Sequence, residues 1–220
     1  MLARAQSAYA PAAFASSFGA EDMVLTDLIA RRFPGIGIFT LDTGRLPEET
    51  HRLMQAVKER YQIRLGVYFP DSRALENYHV ANGVNAFYRG VELRQACCHI
   101  RKVEPLKRAL AGKRAWITGL RRDQAAGRAD LPEEGYDADH GLYKFNPLAG
   151  WTQAEVWEYI RRFEVPYNAL HDRGYPSIGC APCTRAVAAG EDIRAGRWWW
   201  ENPEGKECGL HQRRRTPQPA

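Results

Sequence analysis

Five cysteines are the residues whose type and spacing point most directly to chemistry. Cys180 and Cys183 form a C-x-x-C pair in the sequence GCAPCT, a spacing that lets two thiolates reach one metal centre. Cys97 and Cys98 are adjacent, and because neighbouring side chains point apart, they are poorly suited to one tetrahedral zinc ion. A cluster with several iron corners is accessible to both. Four thiolates around a [4Fe–4S] cluster are therefore the preferred interpretation.

The spacing alone also allows simpler interpretations. Cys97 and Cys98 are compatible with small buried side chains, and the C-x-x-C pair with a redox pair or half of a zinc site. With zinc, the four cysteines would support a basic nucleic-acid-binding module, in keeping with the net charge of +5 and the pI near 9.0. That alternative predicts zinc, no visible colour and salt-sensitive binding to nucleic acid.

The fifth cysteine, Cys208, has the surroundings of a nucleophile. In the sequence KECGLH, Lys206 and His211 favour the thiolate, and Gly209 lets other groups approach the sulfur closely. The alternative is an unpaired surface cysteine near the end of the chain. An odd number of cysteines with two close pairs fits a metal site plus a free thiol better than a disulfide scaffold.

The elements that must position these residues alternate along the chain. Strands are predicted at 12–17, 36–41, 63–69, 114–120 and within 141–148, and helices at 23–33, from Pro47 onward, and at 72–80, 92–111 and 151–163. In the last helix, Thr152 is the predicted N-cap and Glu155 occupies the capping-box position. Alternating strands and helices predict an α/β fold with a mostly parallel sheet covered by helices.

Length and composition fit one domain with a tail. The 220 residues, 45% hydrophobic and 26% charged, exclude neither an enzyme nor a binding module. We place the α/β domain at 1–190 and a mobile tail at 191–220, with a long polar loop at 121–140. No stretch approaches the roughly 20 apolar residues of a membrane helix. Without a convincing signal peptide either, a cytoplasmic protein with no membrane partner is expected.

Six segments together resemble the bacterial sulfonucleotide reductases. They are SSFGAED at 16–22, LDTGRLPEET at 41–50, CC at 97–98, TGLRRDQ at 118–124, IGCAPCT at 178–184 and ECGLH at 207–211. The resemblance covers nearly the whole chain, and the order CC, C-x-x-C, ECGLH is highly specific. In that family, the four paired cysteines mark the members that bind a [4Fe–4S] cluster and use adenosine 5′-phosphosulfate. Members without the cluster usually use the 3′-phosphorylated nucleotide.

The resemblance implies a three-layer fold similar to the adenine-nucleotide α-hydrolases, and a reaction. SSFGAED takes the place of the pyrophosphate loop of ATP-cleaving relatives but departs from their SGGxDS pattern, which argues against ATP cleavage and against a tRNA-thiolating enzyme. By similarity, the Cys208 thiolate attacks the sulfate sulfur, AMP leaves, and thioredoxin or glutaredoxin reduces the S-sulfocysteine to release sulfite. The resemblance also implies a homo-oligomer, and we expect no nucleic-acid partner.

The same resemblance implies a set of substrate-binding residues. At a helix N-terminus, Ser17 and its neighbours can offer hydroxyl and backbone donors to an anion. Lys102 lies one helical turn after Cys98 and is expected to bridge cluster and substrate. The predicted substrate-binding residues are Ser16, Ser17, Gly19, Phe39, Leu41, Asp42, Lys102, Arg128, Arg194, Arg197 and His211.

These side chains also have structural interpretations. A lysine or arginine on a helix is most often a solvated surface charge, and a hydrophobic strand end needs no ligand to explain it. Asp22 is compatible with a role in orienting the first loop, and the tryptophans at 198–200 are predicted to pack. The loop QAAGRAD lacks the serine and threonine usual in the family, so Arg128 is a weaker candidate, like Arg121 and Arg122.

Overall fold

Within residues 1–201, a six-stranded sheet forms the centre of the protein. The computed structural model describes these residues, apart from the side chain of Ala126. The strand order is β3-β2-β1-β4-β6-β5, and every neighbouring pair is parallel except β5 with β6. The predicted α/β fold with a mostly parallel sheet is confirmed. The strands are β1 (Ala12–Ala15), β2 (Gly37–Leu41), β3 (Leu65–Tyr68), β4 (Ala115–Ile117), β5 (Glu134–Asp137) and β6 (Leu142–Phe145).

Helices cover both faces of the sheet. They are α1 (Leu2–Ala8), α2 (Ala20–Arg32), α3 (Glu48–Tyr61), α4 (Ser72–Asn82), α5 (Val91–Cys98), α6 (Glu104–Leu110) and α7 (Gln153–Arg162). A π-helical turn, His99–Val103, joins α5 to α6, so the helix predicted at 92–111 is one helical segment with a widened middle. None of the helices within residues 1–201 is long and apolar enough to span a membrane.

Alternating side chains of the central strands form two apolar layers. Phe14, Ile38 and Ile117 pack toward α1, α2, α3 and α7, whereas Phe39 and Trp116 pack toward α6 on the opposite face. This period of two is what a buried parallel sheet requires, because both of its faces must be covered by helices. The resulting three layers hold the carboxyl ends of β1, β2 and β4 side by side.

Two local predictions had different outcomes. The capping box is confirmed: the Thr152 hydroxyl accepts from the Glu155 amide at 3.2 Å, and the Glu155 carboxylate accepts from the Thr152 amide at 2.7 Å. The prediction of a long loop at 121–140 was wrong in part, because β5 lies within it. Its sequence, EGYD, has a single apolar residue, and the strand forms by antiparallel pairing with β6 at the edge of the sheet.

The first residues of the predicted tail pack against the domain. The Trp198 side chain is 1% exposed. The guanidinium of Arg94 donates to both carboxylate oxygens of Glu201 at 2.8 Å, in a pair that is itself buried. The predicted boundary after residue 190 therefore does not coincide with a break in packing. Residues 202–220 lie outside the described part of the chain.

A buried carboxylate joins three helices on one face of the sheet. Asp27 of α2 accepts hydrogen bonds from Arg31 at 2.8 Å, from the Tyr61 hydroxyl of α3 at 2.7 Å and from the Tyr159 hydroxyl of α7 at 2.9 Å. Burial, followed by the bond to Asp27, raises the pKa of Tyr159 to about 12, so this hydroxyl remains a donor. Because a buried charge is costly without partners, the three donors stabilise the packing of α2, α3 and α7.

We expect Tyr159→Phe to lower the free energy of unfolding by about 1–3 kcal/mol, because the buried carboxylate loses a donor. Tyr167→Phe is the matched control, since the Tyr167 hydroxyl donates to Asp172 at an exposed position. Its expected effect is within about 0.5 kcal/mol. Urea denaturation measures the free energy of unfolding of both variants. Equal losses of stability would contradict the role of Asp27 in holding α2, α3 and α7 together.

Candidate active site

A cavity of about 670 Å³ opens at the carboxyl ends of the parallel strands. Its volume lies within the range of about 300–1,000 Å³ that is typical of small-ligand sites. β1 pairs with β2 on one side and with β4 on the other, so the chain reverses its direction of travel across the sheet at this point. Open α/β sheets bind their ligands at such a switch point. The topology alone therefore marks this cavity as a ligand site.

The sheet brings most of the predicted substrate-binding residues to this one cavity. Asp42 is not among the described lining residues: its carboxylate accepts from the Gly44 amide at 2.8 Å and lies 3.0 Å from His51 Nε2. Asp42 instead closes the turn after β2, because successive side chains of an extended chain point in opposite directions. His211 and Cys208 lie outside the described residues. Lining residues from the predicted set are Ser16, Ser17, Gly19, Phe39, Leu41, Lys102, Arg128, Arg194 and Arg197.

The four paired cysteines meet at a second, small gap beside the cavity. Cys97 and Cys98 come from α5, and Cys180 and Cys183 from the turn around Ala181. Lys102 lines both the gap and the large cavity. The other charged residues around the gap are Arg45, Arg94 and Arg101. Four thiols from sequence positions more than 80 residues apart thus share one basic pocket.

Burial controls the protonation of these thiols. Burial raises the pKa of Cys97, and it raises the pKa of Cys183 to about 12, with the nearby Cys180 as the second cause. The charges of Lys102 and Arg197 act in the opposite direction on Cys183 but do not offset burial. A reactive cysteine needs a lowered thiol pKa, so these residues are not set up as free nucleophiles. Metal ligation is the chemistry that would deprotonate them.

The chemistry of the pocket suits an iron–sulfur cluster. Bonds of about 2.3 Å to zinc hold thiolates within about 4 Å of each other. A [4Fe–4S] cluster offers four separate irons to four thiolates, and its negative charge suits a pocket lined by three arginines and a lysine. The residues present therefore fit a cluster.

Arg101 is a residue of this pocket that the sequence did not single out. It is 3% exposed, donates to the Thr43 carbonyl and lies 3.1 Å from His79 Nε2. Its charge and its hydrogen bond to Cys97 both lower the pKa of that thiol. The π-helical turn widens the helix at this point and is a feature that often occurs at functional sites. In the sequence, the only indication that Arg101 belongs to this pocket is its position four residues, about one helical turn, after Cys97.

Arg197 reaches the cavity only because residue 179 is a glycine. A Cβ atom at Gly179 would overlap the Arg197 guanidinium. The guanidinium donates to the Ser177 hydroxyl at 3.3 Å and stacks on the Trp198 ring with 4.7 Å to the centroid. Arg197 Nε is buried and has no hydrogen-bond partner among the described residues. A cation held in this way is suited to an anionic ligand.

The other arginines near β4 have structural partners. Arg121 is 2% exposed and pairs with Glu21 at 2.9 Å and with Asp123 at 3.1 Å. Arg122 is half-exposed and pairs with Glu133 at 3.8 Å. The Arg128 guanidinium donates to the Gln124 side chain at 2.5 Å on the cavity wall. Arg121 therefore brings little uncompensated positive charge to the cavity, although it lines it.

The loop after β1 differs from the predicted anion site in one respect. The Ser17 amide and the Ser17 hydroxyl both donate to the Asp22 carboxylate at 2.6 Å. The interpretation of Asp22 as the residue that orients this loop is confirmed. The two Ser17 donors expected to meet a ligand are engaged within the protein. Phe18, between them and α2, has a φ of 60° that is uncommon for a bulky residue and marks a tightly constrained loop.

Comparison with known proteins identifies similar sequences over nearly the whole chain. Residues 11–186 match the family described as phosphoadenosine phosphosulfate reductase domain. A protein of Allochromatium vinosum named adenosine 5′-phosphosulfate reductase is 59% identical over 204 residues, covering 93% of this chain and 80% of its own length. A protein of Burkholderia cepacia with the same name is 56% identical over 207 residues, covering 94% and 83%.

A solved structure shares the fold. The crystal structure of a phosphoadenylyl-sulfate reductase from Candida auris, in complex with phosphate, superimposes with a TM-score of 0.72 at 31% identity. The match covers 84% of this chain and 88% of that one. The predicted three-layer fold, similar to the adenine-nucleotide α-hydrolases, is confirmed.

The cysteine pocket predicts iron rather than zinc. Protein purified without oxygen should contain about four irons and four acid-labile sulfides per chain. Cys183→Ala should lose most of both, because one ligand of four is missing, and a visible absorption band should fall with them. Cys208→Ser is the control that should retain the cluster. One zinc per chain without iron, or iron that survives Cys183→Ala unchanged, would contradict the assignment.

Proposed function

Because the chain belongs to the phosphoadenosine phosphosulfate reductase family, we propose that it reduces adenosine 5′-phosphosulfate to sulfite and AMP, a step of sulfate assimilation. The observation that carries the proposal is the position of Lys102, which lines both the nucleotide-sized cavity and the pocket of four cysteines. A site of this kind places a cation between a metal cluster and an anionic ligand. The names of the relatives from Allochromatium vinosum and Burkholderia cepacia support the same substrate.

Charge and shape of the cavity support a nucleotide with its anionic end toward the cysteines. Phe39 and Leu41, at the end of β2, offer apolar surface for the adenosine. Lys102, Arg194 and Arg197 offer positive charge for the phosphate and sulfate groups. Ser16 and Gly19 complete the proposed set on the loop after β1, together with Arg128 across the cavity and His211 from the C-terminal segment. Asp42 is omitted because its carboxylate bonds the turn after β2.

The proposed nucleophile is Cys208, in the segment 191–220. Its thiolate attacks the sulfate sulfur, the bond from that sulfur to the bridging oxygen breaks, and AMP leaves with the electron pair. A thiolate of thioredoxin or glutaredoxin then attacks the Cys208 sulfur of the S-sulfocysteine, so that sulfite leaves and a mixed disulfide forms. A second thiol of the reductant resolves this disulfide and restores the Cys208 thiol.

The basic residues have two tasks in this reaction. A thiolate and a sulfate group repel each other, and cations around both reduce that repulsion. Cations also stabilise the charge that develops on the leaving phosphate, provided they are held in place before the reaction. Arg197 meets this condition, because the glycine at 179 and the Trp198 ring fix its guanidinium. The family resemblance adds a homo-oligomeric state to the proposal.

The cluster is proposed to act through structure and charge. Bound by Cys97, Cys98, Cys180 and Cys183, a [4Fe–4S] group would supply a fixed anionic centre beside Lys102. The ammonium group of Lys102, which lines both spaces, would then lie near both that centre and the substrate anion. The thiol hydrogen bond between Thr43 and Cys180, at 3.2 Å, supports the same wall of the pocket. The residues of the chain thereby orient the substrate without a change in the cluster's oxidation state.

The 3′-phosphorylated nucleotide is the alternative substrate. The Candida auris enzyme, 31% identical to this chain, is named for it. Four cluster cysteines favour the unphosphorylated form by the family resemblance. Turnover with both nucleotides at equal concentration decides between them, since the proposed substrate should have the larger kcat/KM.

Cys208→Ser should abolish sulfite formation, because a hydroxyl at neutral pH is a far weaker nucleophile than a thiolate. Binding of AMP and the iron content should remain at the parent level, since Cys208 is not one of the proposed ligands. Sulfite is measured under steady-state conditions with thioredoxin in excess. Sulfite production by the variant at the parent rate would rule out Cys208 as the nucleophile.

Lys102→Ala should lower kcat/KM for adenosine 5′-phosphosulfate by about 10²- to 10³-fold, the usual cost of removing one charge-stabilising group. Its iron and sulfide should stay near the parent level, because the four thiols remain. Lys107→Ala, an exposed lysine on α6, is the matched control and should keep full activity. A Lys102→Ala protein with its cluster and undiminished turnover would contradict the proposed coupling.

A further inference from the structure

The loops after β1 and β4 form an anion hole that the protein fills with its own carboxylate. The Ser17 amide and hydroxyl each donate to Asp22 Oδ2 at 2.6 Å, and the Gly119 backbone lies so close to the carboxylate that a Cβ atom there would overlap Oδ1. Asp22 is 7% exposed and lines the large cavity. Two donors on Ser17, enclosed by the backbone of the loop after β4, surround one buried carboxylate at the kind of loop with which α/β proteins bind phosphate.

The close approach of the two loops holds the Asp22 carboxylate in the anion hole. A Cβ atom at residue 119 would overlap Asp22 Oδ1, so Gly119 allows the backbone to reach the carboxylate. Both Ser17 donors hold the other oxygen of the carboxylate. Thr26 also donates its hydroxyl to the Asp22 carbonyl at 2.7 Å, which fixes the first turn of α2. A ligand anion could enter the hole only by displacing this side chain.

Two carboxylates and several cations line the cavity. At the N-terminus of α2, Glu21 and Asp22 place two carboxylates on the wall, and the Glu21 charge raises the pKa of Asp22. The partner of Glu21 is Arg121, which is already shared with Asp123. Near the cysteines, the positive charges of Lys102 and Arg197 both lower the pKa of Cys183. A phosphate placed against Ser17 would meet the Asp22 carboxylate, and a phosphate near the cysteines would meet the positive charge of Lys102 and Arg197.

The buried carboxylate is retained at a cost in stability. Burial raises the pKa of Asp22 to about 6, against the effect of the Ser17 bonds, so its ionised form is disfavoured in the folded protein. A neutral side chain of the same size would avoid this cost. Functional sites keep such groups where binding or specificity requires them.

We propose that the Asp22 carboxylate determines specificity by occupying the anion hole between the loops after β1 and β4, so that the cavity rejects nucleotides that carry a pyrophosphate at that position. The hole that would hold the second and third phosphates of a nucleoside triphosphate is closed. The anionic groups of a bound nucleotide must then lie toward Lys102 and Arg197. The exclusion of pyrophosphate-bearing nucleotides by Asp22 is a property separate from the proposed reaction.

Inorganic pyrophosphate is the probe, and calorimetric titration of the cluster-loaded protein measures its Kd. Asp22→Ser should bind pyrophosphate about tenfold or more tightly than the parent, because the Ser17 donors become available to a charged acceptor. Asp22→Asn should show a smaller gain in the same direction, since the amide removes the charge but still fills the hole. Glu48→Gln removes one negative charge, as Asp22→Asn does, but at an exposed residue that does not line the cavity. It should leave Kd unchanged.

A double variant locates the bound anion. The gain from Asp22→Ser should persist with Lys102→Ala, because the donors that become available belong to Ser17 and not to Lys102. Asp22→Asn keeps the shape of the side chain, and thermal unfolding checks that each variant is folded. The proposal is overturned if neither Asp22 variant binds pyrophosphate more tightly than the parent, if Glu48→Gln gains as much, or if the gain disappears with Lys102→Ala. Because binding is measured without turnover, this outcome is independent of whether adenosine 5′-phosphosulfate is the substrate.

Discussion

The site depends on one constraint, the burial of four thiols beside fixed cations. Burial keeps the Cys97 and Cys183 thiols protonated in the absence of a metal, and the surrounding guanidinium and ammonium groups make the pocket suitable for an anionic cluster. The thiols come from α5 and from the turn at Ala181, so a bound cluster would join two distant parts of the chain. The position of Lys102 between pocket and cavity follows from this arrangement.

The rest of the structure serves to present a nucleotide to that pocket. The switch point between β1 and β4 opens a cavity at the carboxyl ends of the strands, lined by both carboxylates and cations. Asp22 closes the anion hole, while Lys102 and Arg197 line the same cavity. The orientation proposed for the substrate follows from these cations, and the ligands that the cavity is proposed to refuse follow from the position of Asp22. The hydrogen bonds of Asp27 to Tyr61 and Tyr159 hold α2, the helix that contains Asp22, against α3 and α7.

Sequence reasoning succeeded where local patterns determine the outcome. Alternating apolar segments predicted the parallel sheet, and the Thr152 capping box formed as expected. The strand β5 was missed because its pairing with β6 stabilises it more than its own composition does. Within the site, side-chain direction was the missing information: Ser17 donates to Asp22 instead of facing the cavity freely, and Asp42 turns toward His51. No local pattern reveals such partners, because they are set by how two loops meet in space.

The central claim is that a cysteine outside the cluster pocket takes the sulfur from the nucleotide. The most direct test mixes the cluster-loaded protein with adenosine 5′-phosphosulfate labelled with ³⁵S, without any thiol reductant, and maps the label by peptide analysis. We expect about one label per chain on the peptide that contains Cys208, with release of an equal amount of AMP. Label on any of the four paired cysteines, or AMP release without covalent label, would contradict it.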